Sequence, residues 1–142
     1  MNTSKVCFFY LILLLPITIF AQRNLGNFSF GTLHQVHSQF TAKENKMFVV
    51  IFTVIPSKNN QILESFQLTF PKEAQLEEQN TSIEKSGEKL LLIAEVKRLK
   101  KQPIKRIEKV NATLTTTVRG IANNQPTIQN TDIPFSFDLR YR

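Results

Sequence analysis

The chain has 142 residues, 42% of them hydrophobic, and a formal net charge of +7. This length is typical of one domain with a real hydrophobic core, and the positive charge favours association with anionic surfaces without indicating any fold. A single cysteine and the lack of tryptophan exclude a disulfide scaffold and the cysteine–tryptophan–cysteine core of true immunoglobulin domains.

The first 21 residues are typical of a secretory leader. Residues 2–5 are polar and include Lys5, residues 6–20 are almost entirely apolar, and the small residue Ala21 follows them. These are the three parts of a signal peptide. The apolar run is shorter than the roughly 20 residues that span a bilayer as a helix, so no stable transmembrane span is expected. We therefore predict cleavage after Ala21; a retained N-terminal anchor is the alternative, because Ile19 stands where a small residue is preferred.

Cleavage after Ala21 would remove Cys7 and leave residues 22–142 as a single domain without cysteine. These 121 residues contain 17 basic and 11 acidic side chains, a net charge of +6. Small exported domains commonly rely on disulfides, so this one must be stable through apolar burial and backbone pairing alone. We expect a secreted, periplasmic or cell-envelope location, and a bacterial protein is favoured over an animal extracellular module.

Alternation of apolar and polar residues predicts strands with one buried face along most of this domain. In chain order, residues 28–40 are expected to form one bulged strand or two short strands, interrupted at Gly31. Residues 47–55 are apolar on both faces and predict a central strand covered on both sides. Residues 62–70 alternate again until Pro71 ends the strand.

The second half of the domain continues this pattern. Residues 89–99 fit either a helix or a buried strand, and the strands on both sides favour a strand. Residues 109–119 and 133–141 show the clearest alternation, and their predicted inward side chains are Val110, Ala112, Leu114, Val118, Ile133, Phe135, Phe137, Leu139 and Tyr141. Turns are predicted at residues 57–60, 85–88 and 123–126, and one helical turn within residues 73–79.

Six or seven strands in about 120 residues predict an all-β fold. Their spacing favours a single antiparallel β-sandwich of immunoglobulin-like architecture, following a cleavable signal peptide. The resemblance is one of architecture and names no family.

Catalytic and metal-binding signatures are weak in this sequence. His34 and His37 are spaced H-x-x-H, which on a strand places their side chains on opposite faces. The domain offers no cysteine nucleophile and no G-x-S-x-G motif. The glutamates within residues 73–88 are interpreted as a solvated linker face rather than as a glycosidase pair. We therefore expect no enzyme, no catalytic residue, no metal and no cofactor.

One basic cluster stands out from the rest of the chain. It surrounds a predicted turn at Gln102-Pro103 and comprises Lys97, Arg98, Lys100, Lys101, Lys105, Arg106 and Lys109. At a hairpin tip these side chains would present a positive patch to an anionic envelope component or to a protein partner. Nucleic acid is disfavoured because no stacking aromatic residues accompany the charges. The alternative is a solvated loop whose lysines keep a sheet edge unpaired.

These features predict an exported, non-enzymatic binding or assembly module of the cell envelope or extracellular space. The alternative is a pilus-like or surface-layer subunit that joins its copies through an open sheet edge or a donated strand. Residues 28–40 and 133–141 are the candidate edges for that role, which implies an oligomer. A small hydrolase is the least favoured function.

Overall fold

The computed structural model describes residues 22–43, 45–57, 60–99 and 107–141. These residues form nine strands, more than the six or seven predicted. In chain order the strands are β1 (Arg23–Asn27), β2 (Gly31–Gln35), β3 (Gln39–Ala42), β4 (Met47–Pro56), β5 (Gln61–Thr69), β6 (Leu76–Ser86), β7 (Lys89–Arg98), β8 (Ile107–Ala122) and β9 (Gln125–Tyr141). A short 3-10 helix, Lys72–Ala74, lies between β5 and β6.

The strands lie in two packed sheets, which confirms the predicted all-β sandwich arrangement. One sheet has the order β1–β2–β4–β7–β6 and the other has the order β3–β9–β8–β5. The expectation of a purely antiparallel sandwich is wrong for one pair, because β3 runs parallel to β9. After β2 the chain crosses to the second sheet through residues 36–38, so β3 arrives beside β9 pointing in the same direction.

β4 lies at the centre of the first sheet, as the sequence predicts for residues 47–55. Alternate side chains of β4, from Phe48 to Val54, face the second sheet and belong to the core. Ile51 and Thr53 point to the opposite face and are also buried. The predicted central position is therefore confirmed, but the outer face is covered only in part, because Ile55 on that face is 41% exposed.

β8 and β9 supply the opposite side of the core. Their predicted inward side chains are buried from Val110 to Leu139; the side chain of Tyr141 lies outside the described part of the chain. Phe137 is the centre of an aromatic cluster that joins the sheets. Its ring centroid lies 5.4 Å from Phe40 and 6.2 Å from Phe48.

The sequence predicts neither β1 nor β6. The glutamate-rich stretch interpreted as a linker forms β6, and the predicted helical turn within residues 73–79 is limited to Lys72–Ala74. β6 is an edge strand paired only with β7, so a few inward apolar side chains such as Ile83 are enough to hold it against the core. Residues 89–98 form β7, which confirms the preference for a strand there.

The segment from residue 28 to residue 40 contains two short strands and not one bulged strand, which confirms the second of the two alternatives. Their separation lies at residues 36–38 and not at Gly31, which begins β2. Gly31 lies so close to β4 that a Cβ atom there would collide with the backbone carbonyl of Ile55. Gly31 therefore allows β2 to lie close to β4, and it does not interrupt the strand.

Two of the predicted turns are present as tight connections. Gly87, with a φ of +63°, closes the β6–β7 hairpin. Asn123 and Asn124, with φ values of 53° and 60°, form the two-residue turn between β8 and β9, the geometry preferred in such hairpins. The third predicted turn joins β4 to β5, but residues 58–59 lie outside the described residues.

Candidate functional site

Three connections meet at one end of the sandwich. They are the β3–β4 turn, the β5–β6 connection and the start of the β7–β8 connection. The N–H of Asn45 donates to the carbonyl of Arg98 at 2.9 Å, and the N–H of Arg98 donates to the carbonyl of Lys46 at 3.3 Å. The N–H of Leu99 donates to the carbonyl of Gln75 at 2.9 Å. Backbone hydrogen bonds thus hold the three connections together.

Basic side chains concentrate at this end. Lys43 and Lys46 are exposed beside the β3–β4 turn, and Lys72 is exposed on the 3-10 helix. The ends of β7, β8 and β9 add further cations. We call this region the cationic end and define it by Lys43, Lys46, Lys72, Lys97, Lys109 and Arg140. Acidic side chains lie among these cations: Glu73 follows Lys72, Glu77 lies opposite Lys97, and Asp138 lies opposite Lys109. Together with Glu78 and Glu108 they offset much of the positive charge, and Lys43 and Lys46 beside the β3–β4 turn contribute most to the surplus.

The structure describes three of the seven residues of the predicted basic cluster. Lys97 is half-buried at the end of β7, opposite Met47, and Lys109 is exposed on β8. Arg98 is only 1% exposed. The other four, Lys100, Lys101, Lys105 and Arg106, lie outside the described residues.

Arg98 is an interior residue and not a surface cation as the sequence suggests. Its Nη2 atom lies 3.9 Å from Oε1 of Glu108, whose side chain is 33% exposed. Arg98 follows Val96 on the core-facing side of β7, and Glu108 precedes Val110 on the core-facing side of β8. The pair therefore links the two sheets where the β7–β8 connection begins.

Lys43, Lys46 and Lys72 are the cations that sequence reasoning misses. None of them belongs to a run of charge, so each looks like an ordinary surface lysine. The antiparallel pairing of β4 with β7, in which Met47 lies opposite Lys97, brings the β3–β4 turn to the basic cluster. That neighbourhood depends on strand pairing, which residue spacing does not reveal.

Charge is balanced at the opposite end of the sandwich. The β6–β7 hairpin carries Lys85 and Lys89 together with Glu88 near its turn. Nε of Arg119 on β8 lies 3.3 Å from Oε2 of Glu64 on β5. With Glu84, also on β6, the cations and acids of this end are equal in number, whereas the described part of the cationic end keeps a small positive surplus.

The two histidines lie apart from this region. His34 belongs to β2, and His37 lies in the connection to β3, with its ring 6.4 Å from that of Phe40. Burial lowers the pKa of His37, because desolvation disfavours the charged imidazolium. Within residues 22–43, 45–57, 60–99 and 107–141, no three histidine, cysteine or acidic side chains are grouped as metal ligands would be.

The same part of the chain contains no helix that is long and apolar enough to cross a membrane. No protein-family model matches the sequence, and neither a curated protein nor a solved structure is significantly similar to it.

Proposed function

We propose that this chain is an exported, non-enzymatic binding module that docks on an anionic component of the cell envelope through its cationic end. The observation that carries the proposal is the convergence of Lys43, Lys46 and Lys72, from two connections, on the end where the basic cluster begins. Positive side chains gathered on one surface create a local potential that attracts and orients anionic partners.

The composition of the cationic end favours a diffuse anionic surface as the partner. Five of its six defining side chains are lysines and one is Arg140. Lysine acts as a compact, mobile point charge, whereas arginine recognises carboxylate or phosphate in a fixed two-pronged geometry. Several lysines on separate connections suit many weakly held phosphates or carboxylates, as on glycolipid headgroups or acidic polysaccharide.

Export is supported by the leader-like pattern of residues 1–21 and by the cysteine-free composition of the remainder. Cleavage after Ala21 would leave all nine described strands in place, since β1 begins at Arg23. The two packed sheets support an immunoglobulin-like architecture. A secreted or periplasmic location would expose the cationic end to envelope anions.

Binding of the purified protein to vesicles tests this function. Vesicles with and without a phosphate-bearing anionic lipid, and beads carrying acidic polysaccharide, are titrated with salt from about 50 mM to about 500 mM. We expect binding only to the anionic surfaces, with affinity falling as salt rises. Binding that does not respond to salt, or its complete absence on every anionic surface, contradicts the proposal.

Charge reversal locates the contact surface. Lys43→Glu/Lys46→Glu should weaken binding at least about tenfold, because each basic residue near an anionic surface contributes about 1 kcal/mol. Lys85→Glu/Lys89→Glu is the matched control, since it changes the net charge equally at the opposite end. Equal losses in the two variants would show that only net charge matters and would overturn the assignment to the cationic end.

A further inference from the structure

Among the described strands, none lies beside one edge of β9 between Pro126 and Pro134. One side of β9 pairs with β8 along its whole length. On the other side, β3 covers only residues 138–141, and the carbonyl of Ser136 accepts a hydrogen bond of 2.8 Å from Nε2 of Gln35. No described strand covers the edge from residue 126 to residue 134.

Every second residue of this segment points its backbone N–H and C=O groups away from β8, the direction called outward below. Successive residues of a strand point their N–H and C=O groups to opposite sides, and Ser136 and Asp138 use theirs away from β8. The β8–β9 ladder has no bulge, so the alternation continues through residues 126–134. Proline has no N–H. The outward donors are therefore the N–H groups of Ile128, Asn130 and Asp132.

The other edge strands carry features that prevent pairing with another chain. β1, β5 and β6 each contain a bulge, and β3 has only four residues. On β5, the N–H of Leu68 is already bound at 2.7 Å by Oε1 of Glu78. Bulges, charged side chains and short length are the usual protection of sheet edges. The β9 edge has no bulge, and of residues 126–134 only Asp132 is charged. Prolines also limit pairing at sheet edges, but Pro126 and Pro134 lie at the two ends of this segment and leave the N–H groups between them available.

We propose that a second copy of this chain pairs with the β9 edge, antiparallel, about a two-fold axis at Asn130. Pro126 and Pro134 each lie four residues from Asn130. Around that axis, Asn130 faces its counterpart, Ile128 faces Asp132 of the second copy, and the prolines face each other. Every outward N–H then meets a carbonyl, and the positions without an N–H coincide. A self-complementary patch of this kind is what a two-fold interface requires.

The hairpin tip strengthens the choice of a second copy as the occupant. We call the exposed residues 121–130 the arm. A cavity of about 320 Å³ opens between β1 and β9, beside Arg23, Leu25 and residues 134–136. In this register Pro126 of one copy lies opposite Pro134 of the other. The Asn123-Asn124 turn of each copy therefore lies near the cavity of its partner. There the tip meets Ser136, whose hydroxyl accepts a hydrogen bond of 3.1 Å from Arg23.

This interface is independent of the anionic docking proposed above. The arm lies at the end of the sandwich opposite the cationic end, and the proposed contacts are backbone hydrogen bonds of a segment whose only charged side chain is Asp132. A variant that no longer self-associates should still bind vesicles in a salt-sensitive way. A variant that no longer binds vesicles should still self-associate. A two-fold pair is closed, so this edge would produce a dimer and not a filament.

Cysteine cross-linking tests the axis directly. All variants carry Cys7→Ser, so that the introduced thiol has no competitor in the chain. Hydrogen-bonded neighbours in an antiparallel pair have Cα atoms about 5.5 Å apart, within the range of a disulfide. Under mild oxidation, Asn130→Cys should form a covalent dimer at least about ten times faster than Gln67→Cys, because pairing raises the local thiol concentration. Gln67 is exposed on β5 and lies off the axis.

Sedimentation of the same protein over a wide concentration range provides the second test. We expect a concentration-dependent dimer that Asn130→Lys weakens at least about tenfold, because two like charges then meet on the axis. Gln67→Lys adds the same charge at an exposed position of β5, the strand at the other edge of the same sheet, and should leave the dimer unchanged. A monomer at every concentration, a dimer indifferent to Asn130→Lys, or equal cross-linking of the two cysteine variants would each overturn the proposal.

Discussion

The two ends of the sandwich differ in charge and in their attachment to the core. At the cationic end, three connections are joined by backbone hydrogen bonds, and the Arg98–Glu108 pair lies beneath them. The arm, residues 121–130, is exposed throughout and extends from the sandwich as a continuation of the β8–β9 ladder. The cationic end thus presents charged side chains on connections that hydrogen bonds hold in place. The arm presents backbone groups that no described strand pairs with, on a hairpin without charged side chains.

Because of this difference, substitutions in the two regions should change different measurable properties. Removal of contacts near the core should change the free energy of unfolding, whereas changes in the arm should alter self-association and leave the fold intact. Salt should weaken contacts made by the cationic end, since exposed charges are screened. Salt should have little effect on the proposed pairing of two β9 strands, because backbone hydrogen bonds make that contact.

The largest expected effect contrasts Phe137→Ala with Ile128→Ala. Phe137 is 2% exposed in the aromatic cluster, while Ile128 on the arm is 68% exposed. Truncation of a buried phenylalanine costs about 3–5 kcal/mol of unfolding free energy, because apolar contacts are lost and a cavity remains. The exposed isoleucine should change it by less than about 0.5 kcal/mol. Urea denaturation at low protein concentration measures both, and similar losses would show that the arm is packed in solution.

The contrast between well-packed and exposed strands also explains how much of the fold the sequence reveals. β4 and β8 contribute many core side chains, so their residue patterns predict them to within a few residues at each end. β9 is predicted only from residue 133, because residues 125–132 contribute no buried side chain and show no apolar alternation. β6 has one neighbour and few apolar side chains, and its glutamates resemble a linker. The parallel pairing of β3 with β9 joins residues about 100 positions apart, which no local pattern records.

The candidate site was predictable only in part, for a related reason. A run of basic residues suggests a solvated patch, but the alternation of β7 places Arg98 on the same side as Val96. That alternation was available in the sequence and would have assigned Arg98 to the interior. Lys43, Lys46 and Lys72 could not be found in this way, because tertiary pairing brings their connections together.

A smaller effect concerns the ion pair beneath the cationic end. Glu108→Gln removes a carboxylate that faces Arg98 inside the protein. Loss of one member of a fully buried pair costs about 3–5 kcal/mol, but Glu108 is 33% exposed, so solvent screens the pair and we expect about 1–3 kcal/mol.

Glu64→Gln is the matched control for that substitution. Glu64 pairs with Arg119 at 3.3 Å, but both side chains are well exposed, 42% and 54%. Exposed ion pairs contribute little, so this variant should lose less than about 1 kcal/mol. Equal losses in urea denaturation would mean that burial of Arg98 does not set the strength of its pair.

The smallest effect arises in the connection between the sheets, where burial lowers the pKa of His37 from its ordinary value of 6.5. Below that value the unfolded chain binds more protons than the folded protein, so the free energy of unfolding falls as the pH decreases through the folded pKa. The contribution is fully present above about pH 6.5.

His37→Gln should therefore reduce the loss of stability between about pH 7.5 and about pH 5.5, measured by urea denaturation at a series of pH values. His34→Gln removes the other histidine of the chain and serves as the control. If the two variants reduce the loss equally, burial in the β2–β3 connection is not its cause. If only His37→Gln does so, the protonation of one side chain opposes the packing that joins the two sheets.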